Sequence, residues 1–274
     1  MKNSHLPVGL FDSGMGGLTV LKAINACLPA EDVTYLGDTA RLPYGTKGQE
    51  TIVRYTLQAA GRLVDMGVKM LVVACNTATS AALPVLREHF APLPVLGVVE
   101  PGAAAAAHAS RNGQIVVIAT EATIASGVYQ RAIVRIRPDA RVLGRACTLF
   151  VPLAEEGWMK GPVVTGAVRR YLKDIFSPVV TAPRPDTLLL GCTHFPLLLP
   201  ALQRVVGKNV HIVDSAATTA HCAREELAAR GLLRENRTGI CRFLTTDNQA
   251  RFARTGSLFL GRRLKCSDVE LVDL

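Results

Sequence analysis

Two cysteines stand in similar sequence contexts and are the strongest candidates for chemistry. The segment LVVACNT, which contains Cys75, matches LLLGCTH, which contains Cys192, at an offset of 117 residues. A short apolar run precedes each cysteine, so we expect each thiol at the end of a strand that leads into a helix. The N-terminus of a helix stabilises a thiolate and lowers the thiol pKa below its usual ~8.5.

Two thiols on opposite sides of one substrate suit two kinds of chemistry. They could form a disulfide, which would make the site a redox site. They could also move protons, with one thiolate removing a proton from a carbon atom and the opposite thiol delivering one to the other face. The second process inverts a stereocentre without a cofactor.

Polar residues near these cysteines could assist them. Asp12 ends the first apolar run, in FDSGMGG, and could orient a thiol or cap the next helix. His194 lies two residues after Cys192 and could exchange a proton with it. Glu155, in VPLAEEGW, could lie in the cleft or in a solvated loop. The glycines of DSGMGG lack the GxGxxG spacing and favour contact with a carboxylate or ammonium group over a phosphate.

Cofactor and metal sites are not expected. The sequence has no HxH, HExxH or CxxC spacing, which argues against a metal site. No lysine has the context of a Schiff base, which argues against pyridoxal phosphate. Cys147 follows another apolar run, and we expect a buried thiol there. The remaining cysteines have no motif around them: Cys27, Cys222, Cys241 and Cys266.

Composition excludes several classes of protein. The chain has 274 residues, 49% of them hydrophobic, so it is not disordered. Lys and Arg outnumber Asp and Glu by 31 to 22, but the charges are scattered and aromatic residues make up only 5%, so we do not expect nucleic-acid binding. No signal peptide and no apolar membrane span is visible, so we expect a cytoplasmic chain with reduced thiols that does not associate with a membrane. A homo-oligomer is compatible with the sequence.

Short apolar runs alternate with amphipathic stretches. We predict strands at 8–11, 33–38, 70–75, 94–100, 114–120, 140–147, 187–192 and 209–215. We predict helices at 19–28, 49–66, 79–90, 102–111, 122–135, 163–176 and 218–230. Continuous apolar strands followed by helices are typical of a parallel sheet that is covered on both faces. The predicted fold class is therefore α/β.

A weak internal repeat divides the chain into two halves. VGLFDSGMGGLTV at 8–20 matches VVIATEATIASGV at 116–128, which aligns Asp12 with Thr120. We predict two similar parallel-sheet α/β domains: residues 1–98 plus 212–274 on the Cys75 side, and residues 99–211 on the Cys192 side. Ligands bind at the carboxyl ends of parallel strands, so the two thiols should flank one cleft between the domains.

With these motifs the chain resembles the cofactor-independent aspartate/glutamate racemase superfamily over about residues 8–230. The matching motifs are GLFDSGMGGLTV, YLGDTARLPYG, VVACNTATSAAL, GVVEPG, FVPLAEEG and LLLGCTHFPLL. The resemblance implies two α/β domains related by a pseudo-twofold axis, with glutamate bound between them as the substrate. It also implies cofactor-free interconversion of L- and D-glutamate, which would supply D-glutamate for peptidoglycan.

The resemblance also implies roles for individual residues. Cys75 and Cys192 would be the two acid/base groups, with Asp12 supporting Cys75, His194 supporting Cys192, and Glu155 as a further helper. The implied substrate contacts are Asp12, Ser13, Pro43, Tyr44, Gly45, Asn76, Thr77, Thr120, Thr123, Thr193 and His194. The chain departs from the family pattern at Thr148, where members often carry proline, and residues 234–274 match no motif.

Three other functions remain open at this point. A related racemase for aspartate or a hydantoin would share the fold and the thiol pair and differ in the size of its pocket. A hydrolase with Cys192 as nucleophile and His194 as base would leave Cys75 without a task. A binding protein of two domains would tolerate inert thiols, whereas a racemase would not. The motifs DSGMGG and PYG favour glutamate among the racemases.

Overall fold

The computed structural model describes residues 3–176, 184–235 and 237–274. Its strands are β1 (Val8–Asp12), β2 (Val33–Gly37), β3 (Met70–Val73), β4 (Val95–Gly97), β5 (Gln114–Ala119), β6 (Arg141–Ala146), β7 (Thr187–Gly191), β8 (His211–Asp214), β9 (Cys241–Thr245) and β10 (Val269–Leu271). Its α-helices are α1 (Leu18–Cys27), α2 (Gln49–Asp65), α3 (Asn76–His89), α4 (Val99–Ala109), α5 (Glu121–Ser126), α6 (Val128–Ile136), α7 (Phe150–Glu155), α8 (Pro162–Phe176), α9 (Leu199–Val206), α10 (Ala216–Ala229) and α11 (Gln249–Leu260). Short 3-10 helices cover Thr39–Arg41, Tyr44–Thr46, Phe195–Leu198 and Cys266–Asp268.

The strands form two parallel sheets. The first has the order β10-β9-β2-β1-β3-β4, and the second has the order β6-β5-β7-β8. Every strand pair in the described residues is parallel. The order β2-β1-β3-β4 in the first sheet is equivalent to β6-β5-β7-β8 in the second, which gives the weak sequence repeat its structural meaning. The predicted α/β class with two similar parallel sheets is confirmed.

We name the two halves by their elements. The first lobe consists of β1–β4, β9, β10, α1–α3 and α11, and the second lobe consists of β5–β8 and α4–α9. Helix α10 contacts both α1 and α4 and so lies between the lobes. The predicted domain boundary at 211/212 passes through β8, which pairs with β7 in the second sheet.

Both faces of each sheet are apolar, which is why the strands appear in the sequence as continuous apolar runs. In β1, Val8 and Leu10 belong to one buried cluster and Phe11 belongs to another on the opposite face. In β5, Val116 belongs to the first of these clusters, whereas Val117 faces a third cluster that contains residues of α4 and α6. Successive strand residues point to opposite faces, so helices must cover both sides of each sheet.

Several predicted elements differ from the observed ones. The predicted strand at 94–100 is shorter, because α4 begins at Val99 and only Val95–Gly97 pairs with β3. The predicted helix at 122–135 is broken at Gly127, which has a φ of +63°. Helix α3 begins at Asn76, three residues before the predicted start.

No helix in the described ranges is long and apolar enough to cross a membrane.

Candidate active site

The candidate catalytic and binding residues lie at the carboxyl ends of four strands, two in each sheet. Asp12 is the last residue of β1, and Cys75 lies two residues beyond the end of β3. In the second lobe, Thr120 follows β5 and Cys192 follows β7. These are equivalent positions in the two sheets. Because the strands within each sheet are parallel, their carboxyl ends lie at the same end of that sheet. These ends of the two sheets face one cleft.

The cleft between the lobes contains both thiols. Its volume is about 30 Å³, which is room for about two water molecules. Its lining residues are Ser13, Gly14, Leu42, Pro43, Tyr44, Gly45, Cys75, Asn76, Thr77, Thr120, Val151, Glu155, Cys192, Thr193 and His194. All the predicted site residues except Asp12 and Thr123 are among them.

Cys75 is the N-cap residue of α3. Its sulfur accepts a hydrogen bond from the Ala78 N–H at 3.4 Å, and its thiol donates to Ser13 Oγ at 3.5 Å. The expectation that Cys75 has a lowered pKa is wrong, although the hydrogen bond from the helix N-terminus acts in that direction. Burial raises the pKa of Cys75, and the negative charge of Asp12 raises it further, to about 12, against the smaller opposite effect of these hydrogen bonds.

Asp12 lies behind the cleft and is completely buried. Its Oδ2 accepts a hydrogen bond from the Gly14 N–H at 3.0 Å, and its Oδ1 has no partner. Burial raises the pKa of Asp12, although the positive charge of His194 acts in the opposite direction. A buried carboxyl group with a free oxygen can exchange a proton with a neighbouring group, and its charge acts on Cys75.

His194 connects Cys192 to an ion-pair network. Its Nδ1 lies 3.9 Å from Cys192 Sγ, and its Nε2 lies 3.1 Å from Glu155 Oε1. Glu155 Oε2 in turn accepts a hydrogen bond from Arg251 Nη2 at 3.1 Å. No α-helix begins directly after Cys192, because a 3-10 helix over Phe195–Leu198 comes first. The polar environment of Cys192 is therefore set by His194, in contrast to the helix cap at Cys75.

The protonation states of this network depend on one another. Burial lowers the pKa of His194, but its hydrogen bonds to Cys192 and Glu155 outweigh burial and raise the pKa to about 10. Burial raises the pKa of Glu155, but the hydrogen bond and charge of His194, together with Arg251, hold it below its usual value. At neutral pH the network thus places a protonated imidazole beside the sulfur of Cys192.

Asn76 lines the cleft and has one polar atom without a partner. Its Oδ1 accepts a hydrogen bond from the buried hydroxyl of Tyr129, while its Nδ2 is buried and has no partner. An amide nitrogen is only a donor, so this group suits a carboxylate oxygen. Sequence reasoning missed Tyr129, since it lies in α6 and no motif surrounds it.

Three threonine hydroxyls connect the lobes. The Oγ1 atoms of Thr77 and Thr120 are 2.8 Å apart, and Thr123 Oγ1 lies 3.0 Å from Thr120 and 3.3 Å from Thr77. Gly45 packs against this cluster, and a Cβ atom there would come within 2.6 Å of Thr120 Cβ. The first and second lobes therefore approach each other closely at Gly45.

The loop that carries Pro43, Tyr44 and Gly45 is anchored from behind. The hydroxyl of Tyr44 donates a hydrogen bond to Asp38 Oδ2, which also accepts one from Arg41 Nε at 2.6 Å. Tyr44 is 1% exposed, so its hydroxyl serves the loop while the rest of the residue borders the cleft. Asp38 was not singled out from the sequence, although it lies in the motif YLGDTARLPYG.

The other candidates are easily placed. Cys147 is completely buried, as expected, and burial raises its pKa to about 12. Glu156, the neighbour of Glu155, is exposed.

Arg251 and Phe259 lie in the segment without a motif and could not be found from the sequence. The ring centroid of Phe259 is 5.0 Å from that of His194. Across the described ranges, no group of three or more His, Cys, Asp or Glu side chains is placed to hold a metal ion.

The fold and the site together define an α/β protein of two similar lobes in which one thiol from each lobe lines a common cleft. The chain belongs to the Asp/Glu/Hydantoin racemase family, whose model matches residues 9–223.

Several glutamate racemases are similar to this chain over nearly its whole length. The glutamate racemase of Geobacter metallireducens is 48% identical over 268 residues, which is 97% of this chain and 96% of that protein. The crystal structure of a glutamate racemase isoform from Bacillus anthracis has a TM-score of 0.91 at 35% identity, covering 99% of this chain and 98% of that one. The glutamate racemase from Francisella tularensis, crystallised with D-glutamate, has a TM-score of 0.89 at 32% identity, covering 98% of both chains.

Proposed function

We propose that this protein interconverts L-glutamate and D-glutamate without a cofactor, by proton transfer at the α-carbon. The observation that carries the proposal is the pair of thiols, Cys75 and Cys192, at equivalent strand ends on the two sides of one cleft. The glutamate racemases that match this chain over almost its full length support glutamate as the substrate.

The reaction divides into two proton transfers. The Cys192 thiolate removes the α-proton of L-glutamate, and the Cys75 thiol delivers its own proton to the opposite face of the carbon. D-glutamate leaves with Cys192 as the thiol and Cys75 as the thiolate, and the reverse reaction restores both. The raised pKa of Cys75 keeps this residue protonated in the free protein, which suits proton delivery.

Helpers act on each thiol separately. Asp12 exchanges a proton with Cys75, and His194, supported by Glu155, exchanges one with Cys192. General acid–base assistance of this kind contributes about 10²–10⁴-fold to a rate.

Fixed donors stabilise the developing carbanion. Asn76 Nδ2 and the hydroxyls of Ser13, Thr77 and Thr193 border the cleft and suit the two carboxylates of glutamate. Such preorganised donors are most effective where water is excluded. The cleft is smaller than glutamate, so the lobes separate to admit the substrate and close around it.

The product suggests the setting of the enzyme. D-glutamate is a component of peptidoglycan, and we infer that the enzyme supplies it in the cytoplasm for cell-wall synthesis. All seven cysteines, each within the described residues, are free thiols, which fits a reducing compartment.

The decisive experiment is incubation of the purified protein with L-glutamate in D2O. Circular dichroism should decay to zero while deuterium appears at the α-carbon, and D-glutamate should give the mirror-image result. Aspartate and glutamine should react far more slowly, and dialysis against a chelator should leave the activity intact. Equal rates on aspartate would assign the protein to a related racemase. Activity that needs added pyridoxal phosphate or metal would overturn the two-thiol mechanism.

A further inference from the structure

Helix α11 touches the His194 network at both of its ends. Arg251, in its first turn, donates a hydrogen bond to Glu155, and Glu155 contacts His194 Nε2. Phe259, in its last turn, packs edge-to-face on the imidazole, with 75° between the ring planes. One helix from the segment that carries no motif thus contacts the histidine ring directly and contacts its carboxylate partner.

We propose that α11 positions His194 for proton exchange with Cys192, with Arg251 holding the Glu155 carboxylate and Phe259 holding the plane of the imidazole. The inference rests on the proposed glutamate racemisation and assigns a positioning task to residues 249–260.

The geometry of Glu155 supports a positioning role for Arg251. Each carboxylate oxygen has its own partner, Oε1 with His194 and Oε2 with Arg251. Two partners on opposite oxygens stop the carboxylate from rotating, so the direction in which it holds Nε2 is defined. The Glu155 side chain is only 10% exposed, whereas Arg251 is 46% exposed, so the arginine reaches the pair from the solvent side.

Phe259 restrains a rotation of the imidazole ring that the hydrogen bond to Glu155 leaves free. A hydrogen bond at Nε2 still allows the imidazole to turn about the axis through that atom. An edge-to-face aromatic contact disfavours such rotation, because it has a preferred angle. With both restraints in place, Nδ1 stays directed at the sulfur of Cys192.

Helix α11 itself is anchored on the first lobe. Phe252 packs against Tyr35 of β2 with 6.0 Å between ring centroids, and Gly256 lies so close to α1 that a Cβ atom there would be 2.8 Å from Leu18. His194 and Glu155 belong to the second lobe. The helix therefore connects the first lobe to His194, the acid/base group of the second lobe.

The test compares Arg251→Gln and Arg251→Lys with Arg254→Gln, an exposed arginine on the same helix. In Arg251→Gln we expect kcat/KM to fall about fivefold, the size typical of a partly exposed ion pair. Because Cys192 takes the proton from L-glutamate, the primary isotope effect should grow with α-deuterated L-glutamate and shrink with the D form. Arg251→Lys should recover part of the loss, and Arg254→Gln should behave as the wild type.

The alternative is that Arg251 attracts the carboxylates of the substrate to the cleft. In that case KM would rise for both enantiomers with unchanged isotope effects, and the positioning role would be overturned. Global damage to the fold would lower the melting temperature without an asymmetry between enantiomers, which also contradicts it.

A second measurement does not need a substrate. The ¹⁵N signals of the His194 imidazole should move in Arg251→Gln and in Phe259→Leu, and stay in place in Arg254→Gln. If the wild type failed to racemise glutamate, the proposed function would fail while this measurement still decided whether α11 positions the ring. Unmoved signals in both variants would overturn the inference.

Discussion

The hydroxyl of Tyr129 donates a hydrogen bond to Oδ1 of Asn76, joining α6 of the second lobe to the first turn of α3 in the first. The contact decides which end of the amide is available, because Nδ2 of this cleft-lining residue is left buried without a partner. A buried donor left unpaired costs about 1–3 kcal/mol, which a carboxylate oxygen of the substrate would recover.

Tyr129→Phe should therefore weaken substrate binding. Without the tyrosine hydroxyl the amide is free to turn its oxygen towards the carboxylate, so KM should rise about fivefold, equivalent to one hydrogen bond of ~1 kcal/mol. The expected change in kcat is smaller. Tyr171→Phe is the matched control, because its hydroxyl contacts Thr148 away from the cleft. An unchanged KM in Tyr129→Phe would show that Asn76 is oriented by other contacts.

Replacement of either catalytic cysteine should abolish racemisation. Cys75→Ser and Cys192→Ser each leave one face of the α-carbon without a proton carrier, so the decay of circular dichroism from either enantiomer should stop. Cys266→Ser, which changes an exposed thiol, should keep the wild-type rate. Substantial racemisation by either of the first two variants would reject the two-thiol mechanism.

The two helpers should act on opposite steps. In Asp12→Asn, transfer at Cys75 becomes slower relative to transfer at Cys192, so the primary isotope effect should grow with α-deuterated D-glutamate and shrink with the L form. In His194→Asn the pattern should reverse. Each variant should lose ~10²–10⁴-fold in rate. The ratio of kcat/KM in the two directions carries no information, since enantiomers have equal free energies.

Matching isotope effects for both enantiomers in both helper variants would reject the assignment of one helper to each thiol. The two-thiol mechanism would still stand after that result.

Gly45→Ala should hinder closure of the cleft. The added Cβ atom would lie 2.6 Å from Thr120 Cβ, so the loop and the second lobe must move apart. We expect KM to rise tenfold or more, because a small displacement of the groups that hold a substrate lowers catalytic efficiency by about 10²-fold in the extreme. Gly48→Ala is the matched control, since nothing lies within 4 Å of its Cβ position. Equal kinetics for the two variants would contradict the close approach.

The protonation of His194 should be visible in protein stability. Its pKa is about 10 in the folded protein against an ordinary value of 6.5. A group whose pKa is raised by folding stabilises the fold below the lower value, and this contribution is lost as pH rises through the higher one. The free energy of unfolding, measured with urea, should therefore fall between pH 6.5 and pH 10. The fall should be smaller in His194→Asn. Equal slopes would contradict a raised pKa.

Sequence patterns were sufficient to predict those elements whose structure depends on the local order of residues. The strands β1–β8 were found because the sheets are covered on both faces, so apolar runs mark them. The strands β9 and β10, in the segment without a motif, were not predicted. The strand at 94–100 was overextended because Val98 and Val99 are apolar whether they lie in a strand or a helix. The break at Gly127 was missed because apolar spacing does not report a left-handed turn.

By itself the sequence determined the α/β class, the internal repeat and the two cysteines, because each follows from the order of residues along a short segment. Tertiary structure decided which side chains assist them. Arg251 lies 96 residues from Glu155, and Tyr129 lies 53 residues from Asn76, so no local pattern connects these pairs. It also decided the pKa of Cys75. The helix end that favours its thiolate is local, whereas the burial and the Asp12 charge that raise its pKa come from the whole fold.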